Sequence, residues 1–403
     1  MSVLQRFLKY VQVDTPSNPD NDKVMPSNPQ EFDLANLLVS ELQAMGISNA
    51  VVDEHCYVYA SIPANVEGKK AIGFIAHMDV VSETKGFGVK PQIVENYQGG
   101  DITLLNGDCI SAEKFPVLAN YIGSDIVTTD GTTILGADDK AGVAEIMELA
   151  EYLTSHPQVP HGKIGIAFTP DEEIGNGASL FNVQAFGCDY AYTVDGEQLG
   201  EISYETFNGA AFEIEIKGVN IHPGSAKGKM INAVTVASQI LNAFPSSERP
   251  ETTEGREGYY FFNDICANVE HCKLSGIIRD HDKQKFEDRK KYLQRVISVM
   301  QTEYPDRISL SLRDQYYNCA EVIQNHFHLV KNAKNAMESL GVTPIVEPIR
   351  GGTDGSGLSF KGLPCPNLCT GGLNAHGVHE CIPVSSMEKT VQILLGIVNA
   401  YTK

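Results

Sequence analysis

Three apolar runs constrain this chain more than anything else in it. KKAIGFIAHMD (69–79), KIGIAFTPDEE (163–173) and YAYTVDGE (190–197) each break off into polar residues. Between the first two lies GADDKAGVAEIMELAEYL (136–153), a turn followed by a helix with Val143, Ile146, Met147 and Leu153 on its apolar side. Strands alternating with helices give an α/β fold, a mostly parallel sheet flanked by helices. In such open sheets, ligands gather beyond the carboxyl ends of the strands. His77, Glu172, Glu173 and Asp195 all fall at such ends.

The same style continues elsewhere. EFDLANLLVSELQAMG (31–46) spaces Leu34, Leu37, Leu38 and Leu42 along a helix face, with Gly46 to end it. VEPIRGG, PNLCTGG and SSMEKTVQILLGIVNA repeat strand, turn and helix near the C-terminus. SNPDNDKVMPSNPQ (17–30) reads as a loop. The middle differs. AAFEIEIKGVNIHPG (210–224) alternates like a half-buried antiparallel strand, KMINAVTVASQILNAF (229–244) is helical, and HCKLSGIIRD (271–280) is a strand. A charged amphipathic helix (286–304) and the strand RISLSLRD (307–314) follow. This block predicts an inserted α+β domain over 209–320, with 1–208 and 321–403 forming the main domain; 403 residues suit two or three domains.

A formal net charge of −20 repels phosphate backbones and anionic membranes, which argues against nucleic acid and membrane partners. Nine cysteines, none in a CxxC pair, read as reduced thiols of a cytoplasmic protein. MSVLQRFLKYVQV has the pattern of a short amphipathic helix and not of a signal peptide. No apolar run reaches a membrane span.

The polar strand ends carry the chemistry. In HMD, His77 and Asp79 share one side of an extended segment. A metal-bound imidazole gives its second N–H to an acceptor, a role open to Asp79; HxD alone equally marks a polar strand end. GADDKAG sets Asp138 and Asp139 at a helix mouth, where one Asp suffices as a cap. Asp138 can then bridge two ions with its two oxygens. TVDGE offers Asp195, and HGVHE offers His376, His379 and Glu380. Imidazoles and carboxylates without thiols suit zinc, with manganese or cobalt as substitutes. Two ions a few Å apart are a hydrolytic arrangement. The neighbours Glu172 and Glu173 then divide the work: one binds an ion, and the other takes a proton from water.

On these motifs the chain resembles the dizinc metallopeptidase family that holds aminotripeptidases, carboxypeptidase-G-like enzymes and N-acyl amino acid deacylases. HMD, DDK and the Glu172–Glu173 pair mark the family. PQIVENYQGGDITL (91–104), NIHPGSAKG (220–228), IRGGTDGSGLSFKGLPCPN (349–367) and TGGLNAHGVHE (370–380) extend the likeness along nearly the whole chain. The resemblance implies two zinc ions per subunit. His77, Asp138 and Asp195 would hold one, and Asp138, Glu173 and His379 the other. Glu172 would be the general base, and Asp79 would orient His77. The inserted domain would be a lid, of a kind that often pairs subunits into a homodimer. From it, His222 would reach the scissile carbonyl and Arg279 the substrate carboxylate, with Arg350 in the substrate pocket. The expected reaction is removal of the first residue from short peptides, preferably tripeptides. Dipeptidase, carboxypeptidase and deacylase activities are the alternatives. Leu373, Val378, Val80 and Glu197 depart from the family pattern and bear on the pocket, not on the ligands. Cys365, Cys369 and Cys381 are expected in the core or behind the site.

Overall fold

The computed structural model describes residues 1–402. The chain forms two compact units. The first comprises Met1–Tyr204, Glu321–Glu347 and the segment from Thr353 onward; the second comprises Glu205–Ala320 with Pro348–Gly352.

The first unit is built on a seven-stranded sheet. Its strands run in the order Val51–Val52, Val58–Ile62, Ile164–Thr169, Ile72–His77, Tyr190–Gly196, Asn367–Cys369 and Ile202–Ser203. The central four are parallel and the flanking pairs antiparallel, so the α/β expectation holds. Every residue of Ile72–His77 and Ile164–Thr169 is buried, because helices cover both faces. Helix Ala137–Ser155 packs on one face, itself flanked by Val3–Tyr10 and Val384–Ala400. On the other face Ile75, Ala167 and Ala191 pack with Phe181, Phe186 and Leu358. Gly142 sets the distance between helix Ala137–Ser155 and the sheet. A Cβ there would collide with the Val194 carbonyl oxygen. A smaller sheet (Gln92–Val94, Ile126–Thr128 and Ile382–Pro383) and the hairpin Ile102–Thr103/Cys109–Ile110 complete the unit. Among the described residues, no helix is long and apolar enough to cross a membrane.

The second unit is a four-stranded antiparallel sheet in the order Tyr259–Ala267, His271–Asp280, Asn208–Lys217, Ile308–Tyr316. Helices Ala233–Asn242 and Lys283–Glu303 cover one face, burying Phe212, Ile214, Leu274 and Ile278 against Val236, Ile240, Leu293 and Ile297. Strand Tyr259–Ala267 has no counterpart in the sequence reading. It is an edge strand, mostly exposed beyond Tyr260, so YYFFNDICA shows no clean alternation of buried and polar residues. The unit also starts earlier than residue 209 and takes in Pro348–Gly352, because Phe207 N–H bonds the Gly351 carbonyl and Ile349 N–H the Glu205 carbonyl.

Candidate metal centre

Parallel register brings the strand ends together. Ile75 pairs with Thr193, so His77 and Asp195, each two residues further on, emerge side by side. His77 pairs with Thr169, and Glu172 and Glu173 follow just beyond. His77 is 2 % exposed. Its Nδ1 donates to the Asp79 backbone carbonyl at 3.0 Å, which leaves Nε2 as the lone-pair nitrogen. That Nε2 lies 3.0 Å from Asp138 Oδ1 and 3.2 Å from Asp195 Oδ1. The Asp79 carboxylate, expected to orient His77, is 3.4 Å from Nδ1 and has a further task. It accepts the backbone N–H groups of Glu172 (3.0 Å) and Glu173 (3.1 Å), fixing the turn that carries both.

The two aspartates at the helix mouth separate their roles. Asp139 accepts the Gly142 N–H at 3.2 Å as the cap of the regular helix, and its other oxygen accepts the His77 N–H at 3.0 Å. Asp138 is left free, with Oδ1 toward His77 and Oδ2 3.1 Å from His376 Nε2. His376 Nε2 is also 3.3 Å from Glu173 Oε2. Two groups result, His77–Asp138–Asp195 and Asp138–Glu173–His376, each with its candidate ligand atoms within 4.8 Å of one another.

His376 therefore stands where His379 was expected. The His379 ring turns away and bonds Asp108 Oδ2 at 3.0 Å. The two histidines lie three apart in an irregular loop, where His376 takes a left-handed φ of 65°. No periodicity in HGVHE tells which of them faces inward. Glu380 was offered only as a further candidate ligand. It is 1 % exposed and accepts N–H groups from Leu135 (2.7 Å), Gly136 (2.7 Å) and Asp138 (3.0 Å), so it holds the turn that presents Asp138. Its signal was an acid directly before a buried strand, CIPV.

The run Asp171–Glu172–Glu173 is likewise divided. Asp171 is buried in a left-handed conformation, and its carboxylate takes the N–H (2.6 Å) and the hydroxyl of Ser27. Ser27 belongs to the 17–30 loop, which sequence reasoning gave no role. Glu173 joins the second ligand group. The Glu172 carboxyl makes no hydrogen bond to the protein among the described residues. Burial, followed by the charge of Asp195, raises its pKa well above the ordinary range.

The acids are held at a cost that a cation would relieve. Burial raises Glu173 to about 7 and Asp195 to about 6. Hydrogen bonds to Asp138 and Glu173 push His376 up to about 11. His77 is also raised well above its usual value, with Asp195, Asp138 and Asp79 together overcoming the opposing effect of burial. Glu173 Oε1 is buried without a hydrogen-bond partner among the described residues. A shared aspartate, two imidazoles and an orphaned buried oxygen fit a pair of divalent cations. Cys365, Cys369 and Cys381 are buried, form no disulfide among the described residues and lie outside both groups.

The other expected residues lie in the second unit. His222 is exposed, and its Nδ1 accepts the Gly224 N–H at 3.1 Å, which leaves Nε2–H as an outward donor. Arg279 is 8 % exposed and lies over the Tyr316 ring. Its Nη1 bonds the Ala210 and Ile278 carbonyls and Gln315, while Nε and Nη2 have no protein partner among the described residues. Arg350 is already engaged. It donates to the Gly255 and Glu257 carbonyls (2.8 and 3.1 Å) and to Thr253 Oγ1 (2.8 Å), and lies over Phe207 and Tyr259. That is the position of a clamp on the 253–257 loop, not of a free pocket cation.

The chain is similar to known proteins along its whole length. A curated relative, peptidase T of Caldanaerobacter subterraneus, is 51 % identical over 100 % of this chain and 99 % of its own. A tripeptidase from Staphylococcus aureus superposes with a TM-score of 0.78 at 22 % identity, covering 99 % of this chain and 98 % of that one. A dinuclear metal-binding M20 peptidase from Bacillus subtilis does so with a TM-score of 0.66 at 15 % identity, covering 99 % and 97 %. The profile of Peptidase family M20/M25/M40 matches residues 130–400, a stretch that contains Asp138, Glu173, Asp195 and His376, and the chain belongs to that family.

Proposed function

We propose that this chain is a two-zinc aminopeptidase that removes the N-terminal residue from short peptides, preferably tripeptides. The observation that carries the reading is Asp138, whose two oxygens face two different imidazoles, with Asp195 beside one and Glu173 beside the other. His77 and Asp195 would hold one zinc, Glu173 and His376 the other, and Asp138 both. Bound there, the ions supply Lewis acidity and lower the pKa of water. Glu172 then accepts a proton from the attacking water and passes it to the departing amine. Its freedom from protein hydrogen bonds and its raised pKa suit both transfers. Asp79 keeps Glu172 on target through the backbone, and its carbonyl fixes the His77 tautomer.

In the second unit, the outward Nε2–H of His222 suits a developing oxyanion. The unengaged Nε and Nη2 of Arg279 suit the carboxylate end of a short peptide. The name of the S. aureus tripeptidase supports the tripeptide preference, and that of the peptidase T relative supports peptide hydrolysis. Nine cysteines without a disulfide among the described residues support a cytoplasmic setting, and the exposed edge strand Tyr259–Ala267 offers a surface for pairing two copies.

Mass-spectrometric product analysis tests this reading. Zinc-loaded protein is given dipeptides, tripeptides, tetrapeptides and N-acetylated amino acids, with and without chelator. Loss of the first residue from tripeptides, stopped by chelator, is the expected result. Release of acetyl groups or of C-terminal residues would move the activity to a sibling class of the family.

A further inference from the structure

His379 is left without a role in the reaction, yet it is well held. Its Nε2 lies 3.0 Å from Asp108 Oδ2, and the edge of Phe115 meets its ring, with centroids 6.1 Å apart. Hydrogen bonds from the Cys109 N–H and from His379 hold the Asp108 carboxyl below its ordinary pKa, so His379 Nε2–H donates to a carboxylate. Asp108 is itself fixed. Asn106 Oδ1 accepts the Asp108 N–H at 2.9 Å, and Asn106 Nδ2 donates to the Gly131 carbonyl at 2.8 Å. The hairpin is thus fastened to the turn that precedes Asp138.

The loop at the other end of this contact needs support. Asn374 and His376 both hold left-handed φ values, 60° and 65°, which persist only where the surroundings impose them. The Leu373–Cys381 backbone pair closes the base of the loop. Thr84 Oγ1 holds the His376 carbonyl at 3.0 Å, and Asn374 Nδ2 holds the His379 carbonyl at 3.2 Å. The His379 ring ties the 374–379 stretch to the 101–110 hairpin by a side-chain hydrogen bond.

We infer that Asp108, acting through His379, is a positioning residue for the metal ligand His376. The inference rests on the two-metal reading above. His77 and Asp195 sit on sheet strands and do not depend on this loop. Loss of the clamp should therefore weaken one ion and spare the other. Residues that orient metal ligands contribute about 10–100-fold in affinity.

The test is zinc titration of the full-length apo-protein against a chromophoric chelator, for wild type, Asp108→Ala and Asp108→Asn. Wild type should bind two ions. Asp108→Ala should weaken one of them about 10–100-fold and leave the other within about threefold. Asp108→Asn keeps an acceptor oxygen for His379 and should recover part of the loss. Equal weakening of both ions, or two unchanged affinities, would overturn the inference. A wild-type protein that binds fewer than two ions would remove the two-metal reading and this inference with it.

Discussion

Glu145 lies seven residues beyond Asp138 on helix Ala137–Ser155, fully buried, with no hydrogen-bond partner for either carboxyl oxygen among the described residues. Burial alone drives its pKa well above 4.5. In the unfolded chain a glutamate titrates near 4.3, so above that pH folding must take up a proton at this position. Stability is lost as pH rises, by about 1.4 kcal/mol per unit, until the folded pKa is passed. Between pH 5 and pH 7 the penalty grows by up to about 2.7 kcal/mol. Glu145→Gln removes the titration and leaves an uncharged polar group of the same shape in the same place. The variant should gain on wild type steadily as pH rises from 5 to 7. A unit of this size shifts its midpoint by about 1–2 °C per kcal/mol, so the gain should reach about 4 °C. Thermal melts of both proteins at several pH values decide it. A Tm difference that stays constant across pH would show that Glu145 carries no such proton, and the burial argument would fail.

Further outcomes follow from the same geometry. Glu172→Gln should retain both metal ions, read by atomic absorption, and lose about 10²–10⁴-fold in kcat; activity within tenfold of wild type would exclude Glu172 as the base. Arg279→Ala should raise KM for free tripeptides but not for C-terminally amidated ones, and equal effects on the two would remove the carboxylate role. Ser27→Ala leaves the buried Asp171 carboxylate without its hydroxyl donor and should cost about 1–3 kcal/mol in urea unfolding; no change would mean that the Ser27 N–H suffices. Arg350→Ala should expose the 253–257 loop to limited proteolysis, and an unchanged cleavage pattern would contradict the clamp.

The sheet and four of the five proposed ligands were legible because each was coded locally. An apolar run that stops at His77, Glu173 or Asp195 announces a strand end, and DDK announces a helix mouth. The choice between His376 and His379 was not legible, since it depends on left-handed backbone in a loop braced by residues far away in sequence. Arg350 looked like a pocket cation because its acceptors, two carbonyls and a threonine some 95 residues away, leave no mark in RGGTDG. The Asp79 carboxylate was expected on His77. Its bonds to Glu172 and Glu173 depend on parallel register, which sequence spacing does not reveal. The edge strand Tyr259–Ala267 escaped for want of a buried face.

Glu380 has a consequence for how the protein is made. Its carboxylate is the acceptor for three N–H groups of the 135–138 turn, yet it is synthesised about 240 residues later. His376 arrives just before it. A growing chain that has already assembled His77, Asp138, Glu173 and Asp195 on the ribosome still has an unanchored turn and only one imidazole. The centre is completed only when His376 and Glu380 have been made, so a nascent chain that stops short of them does not yet carry it.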